Sequence, residues 1–217
     1  APDNVARFES SAPLDGTPGR GNLYLVAEVA GEPEGRDALA RELIETARRE
    51  YAASHGSIML ALAQAVRAAN EYFYSWNAVT HPEARRIAGM TAAILRENEL
   101  FVAQAGPGMT VLVRGTTVQR FPAESPWFDP ASNLEEFPTP GAVPMGMRRN
   151  YIPDQFHIAL VSGDVILFAT RNLAHLLSNE ELLDTLTSRH PDEIITNLED
   201  IAGSSDLSVL TIQFTSE

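Results

Sequence analysis

Five histidines and an isolated Gly-Pro-Gly are the first places in this sequence to look for chemistry, and their spacing withholds it. His55, His81, His157, His175 and His190 are scattered, and no two stand at the i, i+4 separation that sets a zinc-binding pair on one helix face. Each is expected to be structural. The chain has no cysteine, so neither a thiolate metal ligand nor a disulfide is available. A Gly-x-Ser-x-Gly nucleophile elbow and a P-loop are both missing. Gly106-Pro107-Gly108 lacks the third glycine and the following helix of a phosphate-cradling loop, which leaves a hairpin turn as its expected role. Trp127 and Phe128, inside a proline-rich stretch, have two readings: anchors for a partner, or packing of that stretch onto its own domain.

Composition narrows the partners. The net charge of −13 repels phosphate backbones and anionic lipid, and Arg148-Arg149 is too short a basic run to reverse this. Neither nucleic acid nor membrane is therefore expected; basic segments would be attracted, although an acidic surface more often reflects solubility alone. No apolar run approaches the roughly 20 residues needed to span a bilayer. No basic-then-apolar export pattern opens the chain, and the absence of cysteine fits a reducing compartment, so cytoplasmic residence is expected. At 217 residues with 44% hydrophobic positions, one domain over 1–217 is expected, because no linker divides the chain.

The elements follow from periodicity. Residues 22–30 (NLYLVAEVA) read as a buried strand, ended by the Gly/Pro-rich break at 31–35. Leu39, Leu43, Ala47 and Tyr51 recur every four residues and predict a helix. A second helix spans 57–76, with Ile58, Leu62, Val66, Ala69, Phe73 and Trp76 on one face. Short strand-like runs at 87–95, 100–105, 110–113 and 116–121 predict an antiparallel meander. Seven of the 14 prolines fall within 122–153, predicting an irregular flap, since proline cannot donate to a ladder. Runs 156–161 and 165–169 predict a hairpin around Ser162-Gly163-Asp164. Ser178 and Glu181 have capping-box spacing before a helix to about Thr187. Pro191 with Asp192 and Glu193 starts another helix ending near Gly203, because acids complement the positive helix end. The last strand is 207–214. Paired helices between runs of strands imply an α+β fold of antiparallel sheets with helices outside.

The order and several local motifs resemble the metal-dependent serine/threonine protein phosphatases of type 2C (PPM-type). The family's V-A-D-G-M-G-G is similar to Val26-Ala27-Glu28-Val29-Ala30-Gly31, and its G-T-T to Gly89-Met90-Thr91. Its G-D-S-R resembles Gly106-Pro107-Gly108-Met109. Its G-D-x-L-L-x-S-D-G-L resembles Gly163-Asp164-Val165-Ile166-Leu167-Phe168-Ala169-Thr170-Arg171-Asn172-Leu173. Its closing D-N-I-T-V is similar to Ser205-Asp206-Leu207-Ser208-Val209. The resemblance implies a four-layer α/β/β/α sandwich of two antiparallel sheets flanked by helix pairs.

It also implies a chemistry that these residues change. In the family, aspartates gather two Mg²⁺ or Mn²⁺ ions that hold the attacking water. Here Glu28 takes the first aspartate position, Pro107 and Arg171 take two others, and Ser205 takes the last, with Val29 also at a degenerate position. Asp206 stands one place on and is a candidate vestigial ligand beside Glu28; its other reading is a turn residue. Glu28 likewise reads either as a residual ligand or as a carboxylate held by backbone donors. The early R-x-x-N-E-D falls near Arg7, a candidate phosphate contact, with Ser10, Ser11 and Ala12 in the last three places. A guanidinium at Arg171 opposes metal binding, because it stays charged at any ordinary pH. It reads either as a partner of Glu28 in place of metal or as a solvated loop arginine.

The expectation is a catalytically silent domain, a pseudophosphatase, that needs no cofactor and binds a protein partner through a phosphorylated or basic segment near the cleft. The alternative is an active phosphoserine/phosphothreonine phosphatase using Mg²⁺ or Mn²⁺ on a rearranged set built from Glu28 and Asp206. A third expectation is a structural or dimerisation piece of a longer protein.

Overall fold

Strand alternation builds this fold, because each central strand sends successive side chains into two different cores. A computed structural model describes residues 4–9, 19–31, 33–129, 131, 137, 139–186, 190–203 and 205–215. In β2 (Asn22–Val29), Leu23, Leu25, Ala27 and Val29 face one core while Tyr24 and Val26 face another. That two-residue period leaves Glu28 on the same face as Tyr24 and Val26.

Two antiparallel sheets result. The first runs β1-β2-β3-β4-β7, with β1 (Val5–Phe8), β3 (Ala88–Arg96), β4 (Glu99–Ala105) and β7 (Asp154–Ala159). The second runs β6-β5-β8-β9, with β5 (Met109–Arg114), β6 (Thr117–Phe121), β8 (Val165–Ala169) and β9 (Val209–Gln213).

Helices cover the outer faces. α1 (Arg36–Ala53) and α2 (Ile58–Val79) bury Leu43, Leu62, Val66 and Phe73 against the first sheet, with Leu25, Met90 and Ile94 opposite. On the far side, α3 (Asn172–Leu176), α4 (Asn179–Leu186) and α5 (Pro191–Ala202) bury Leu173, Leu182, Ile194 and Leu198 against Val111 and Leu167. A third core, including Val102, Leu112, Ile166 and Phe168, lies between the sheets. Three cores between four layers give the α/β/β/α sandwich expected from the sequence.

Local signals set the element ends. The Ser178–Glu181 capping box forms in both directions: Glu181 N–H donates to Ser178 Oγ at 3.3 Å, and Ser178 N–H to Glu181 Oε2 at 2.8 Å. α4 ends at Leu186, and the expected end at Thr187 lies outside the described residues. α2 runs to Val79, a turn's length beyond Trp76; Asn77 is buried there and holds the Arg86 backbone through both N–H and C=O.

Two strand-pairing expectations need correction. Runs 156–161 and 165–169 do not form a hairpin: β7 pairs with β4 in the first sheet, and β8 pairs with β5 and β9 in the second. The turn at 162–164 is a crossing between sheets, secured by Asp164, which is 1% exposed and takes Arg114 Nε at 2.9 Å and Val161 N–H at 2.9 Å. The meander is likewise divided, since Gly106-Pro107-Gly108 carries the chain from β4 of one sheet to β5 of the other. Alternation and turn residues identify strands, but they do not say which sheet a strand joins.

Candidate functional site

Glu28 ends β2 on the face between the sheets, and β8 ends next to it in the opposing sheet, so Thr170 and Arg171 arrive beside its carboxylate. A cleft of about 720 Å³ opens there. Its walls are the approach to β1 (Asn4), the start of α1 (Arg36, Asp37), the β8–α3 junction and the approach to β9 (Asp206, Ser208). Hydrogen bonds fix those walls to one another. Asn4 C=O accepts from Ala27 N–H at 2.9 Å, Asn4 Nδ2 donates to Ser208 Oγ at 2.7 Å, and Ser208 N–H donates to Thr170 Oγ1 at 3.2 Å.

Arg171 meets Glu28 twice. Its backbone N–H donates to Glu28 Oε2 at 2.9 Å, and its Nε lies 3.1 Å from Glu28 Oε1. The Glu28 side chain is 14% exposed and that of Arg171 32%. Burial pushes the Glu28 carboxyl above its ordinary range; the Arg171 amide and guanidinium oppose that rise, and the Asp206 charge adds to it. The carboxylate is thus held by a backbone donor and faced by the Arg171 guanidinium.

The other positions divide. Asp206 lines the cleft, its Oδ2 2.6 Å from Arg36 Nη1 and its carbonyl taking Asn172 Nδ2 at 2.5 Å. Ser205 does not join it: it is an exposed turn residue whose N–H donates to Ala202 C=O at 2.8 Å. Val29 is buried toward α1 and α2, and Met109 in the other core, beneath α3, α4 and α5. Arg7 is placed away from the cleft. It pairs with Tyr24, four residues back along β2 from Glu28, and its guanidinium takes Glu9 at 2.9 Å on the surface. Asn4 holds the position at the cleft instead. Ser10, Ser11 and Ala12 lie outside the described residues.

Pro107 packs over Gly89, the cross-strand partner of Glu28, and offers no side-chain oxygen. Glu28 pairs with Gly89 across the ladder, and Pro107 covers Gly89 so closely that a Cβ there would lie 2.6 Å from Pro107 Cδ. Gly89→Ala is therefore expected to cost about 1–3 kcal/mol through overpacking. The check is the urea midpoint, and an unchanged midpoint would refute the tight contact.

Sequence reading missed Arg36, which follows the break Gly35 and gave no periodic signal. It also missed that Arg171 and His175, at i, i+4 spacing, both reach Trp127. Trp127 is 2% exposed, with its ring 6.0 Å from Arg171 Cζ and its carbonyl taking His175 Nε2 at 2.9 Å. Of the two readings for Trp127 and Phe128, packing onto the domain is the one found: both lie against the body of the fold.

These residues do not fit a centre for two hard divalent ions. Such ions each need about six oxygens, anionic ones foremost. Here the Glu28 and Asp206 carboxylates already face guanidinium groups, and among the described residues no three of His, Asp or Glu converge on one point.

No protein-family profile and no curated protein sequence matches the chain. Solved structures do, in fold. PppA, a key regulatory component of T6SS in Pseudomonas aeruginosa, superposes with a TM-score of 0.73 at 16% identity over 97% of each chain. The serine/threonine phosphatase of S. agalactiae gives 0.73 at 16% identity over 98% of this chain and 92% of that one. The catalytic domain of the serine/threonine protein phosphatase PstP, in complex with two manganese ions, gives 0.69 at 16% identity over 95% of each. The chain has the fold of the type 2C phosphatases.

Proposed function

We propose that this chain is a type 2C phosphatase-like domain without phosphatase activity, serving as a regulatory or protein-binding module. One observation carries the reading: the Glu28 carboxylate is engaged on both oxygens by Arg171, at 3.1 Å and 2.9 Å. A divalent ion entering there would have to displace a permanently charged guanidinium and then sit beside it, a repulsion that grows as the site is desolvated. Asp206, the other candidate ligand, would have to leave Arg36 as well. The partner this reading favours is a phosphorylated or basic protein segment reaching the cleft, where guanidinium and carboxylate groups alternate along the walls.

Incubation with a phosphoserine or phosphothreonine peptide and millimolar Mn²⁺ is expected to release no phosphate above background, and calorimetric titration with Mn²⁺ to show no tight stoichiometric uptake. Metal-dependent turnover abolished by Glu28→Ala would overturn the reading. It would establish instead a phosphatase working on a rearranged ligand set.

A further inference from the structure

Arg171 and His175 lie one helical turn apart at the two ends of α3, and both reach the same residue of the proline-rich segment. Arg171 sets its guanidinium 6.0 Å from the Trp127 ring centroid, within cation–π range. His175 Nε2 lies 2.9 Å from the Trp127 carbonyl, which can only accept, so Nε2 carries the proton of that bond. Trp127 is itself fixed. Its Nε1–H donates to Ala142 C=O at 2.8 Å, its own N–H to Ser125 Oγ at 3.3 Å, and its ring stacks on Phe137 at 6.0 Å. The same Arg171 guanidinium also meets the Glu28 carboxylate, Nε to Oε1 at 3.1 Å.

We infer that Trp127 is the positioning residue of the cleft: it clamps both ends of α3, holds the Arg171 guanidinium against Glu28, and couples the proline-rich segment to the charge state of the cleft wall. This deepens the reading above, in which Arg171 and not a metal faces Glu28. A guanidinium on a flexible stem has many rotamers. A second contact besides the carboxylate restricts it, and a buried indole held by its Nε1–H and by Phe137 supplies one. A partner that draws Trp127 away would free the Arg171 guanidinium of that contact, so the engagement of Trp127 sets how firmly the cation faces Glu28.

The test uses the whole chain with Trp127→Leu, Trp127→Phe and His175→Ala. Two signals at Arg171 are followed by NMR: exchange of its backbone amide, which donates to Glu28, and the ring-current shift of its δ-methylene protons. Trp127→Leu is expected to speed that exchange about fivefold, the size of one lost cation–π contact, and to abolish the ring-current shift, with β5 amides unchanged. Trp127→Phe, which keeps an aromatic face, should retain most of both. His175→Ala should speed the same amide by a smaller factor. An Arg171 amide indifferent to both Trp127→Leu and His175→Ala would overturn the inference, and if Trp127→Leu does not fold, the His175→Ala result decides alone. Phosphate release by the unaltered chain would defeat the earlier reading without touching these signals, so the two failures are distinguishable.

Discussion

Replacing Arg171 with alanine is expected to destabilise the protein by about 3 kcal/mol near neutral pH, because it takes from the buried Glu28 carboxylate the cation in contact with it and leaves only the weaker pull of Arg36. The direction with pH follows from linkage. Glu28 has an ordinary value of 4.5 and is raised in the folded state by burial. The folded chain therefore holds that proton more tightly than the unfolded chain, and stability falls as pH rises from about 4.5 through the raised folded value. Removing Arg171 takes away an influence that lowers the Glu28 value, so the window widens and the loss at neutral pH grows. Below 4.5 Glu28 is neutral in both states, and the cost of Arg171→Ala should shrink to about 1 kcal/mol, the contact with Trp127. Urea unfolding of the wild type, Arg171→Ala, Glu28→Gln and the double variant at pH 4 and pH 7 checks this. Glu28→Gln should rescue most of the Arg171→Ala loss at pH 7; additive losses, or a cost independent of pH, would refute the pairing as the source.

The second large effect lies behind the cleft, at Gln104. This side chain is 2% exposed on the face of β4 that looks into the space between the sheets. Its Nε2 donates to Gly108 C=O at 2.6 Å and to Phe121 C=O at 3.1 Å, and its Oε1 accepts from Thr110 Oγ1 at 2.9 Å. Thr91 Oγ1 approaches the same oxygen at 3.4 Å. One amide thus ties β4 of the first sheet to β5 and β6 of the second, next to the turn that sets Pro107 over Gly89. Gln104→Leu keeps the volume but strips a partner from each of those groups in a dry layer, and about 3 kcal/mol is expected. Gln104→Glu should be worse at neutral pH, since a carboxylate turns an acceptor toward both carbonyls, and should recover on acidification as the protonated acid regains a donor. Thermal or urea midpoints rank the three; Gln104→Glu matching the wild type at pH 7 would show that the amide's donors do not matter.

Much of this was legible from side-chain periodicity alone. β1 and α3 carry no such signal and the four-layer order is what the motif resemblance implies, whereas the α1 and α2 faces, most of the strands and the Ser178–Glu181 cap follow from residues no more than a few positions apart. Their physics is local: a helix or strand exposes a fixed set of neighbours whatever it later packs against. The motif resemblance placed Glu28, Arg171 and Asp206 near one another, and all three line the cleft. It failed at Arg7 and Ser205. A shift of four positions along a strand, or of one at a turn, carries a side chain out of reach, and short motifs do not specify register that finely.

By itself, then, the sequence determined most of the helices and strands, though not β1 or α3, and which faces are apolar; the motif resemblance implied that the family's usual oxygen ligands are replaced by a proline, an arginine and a serine. Only the tertiary structure decided that Gly106-Pro107-Gly108 and residues 162–164 cross between sheets, that Arg36 engages Asp206, and that Arg171 meets both Trp127 and Glu28. The reason is range. Periodicity reports what one element does to its own neighbours, whereas Glu28 and Arg171 are 143 residues apart and meet only because two sheets close over a shared core.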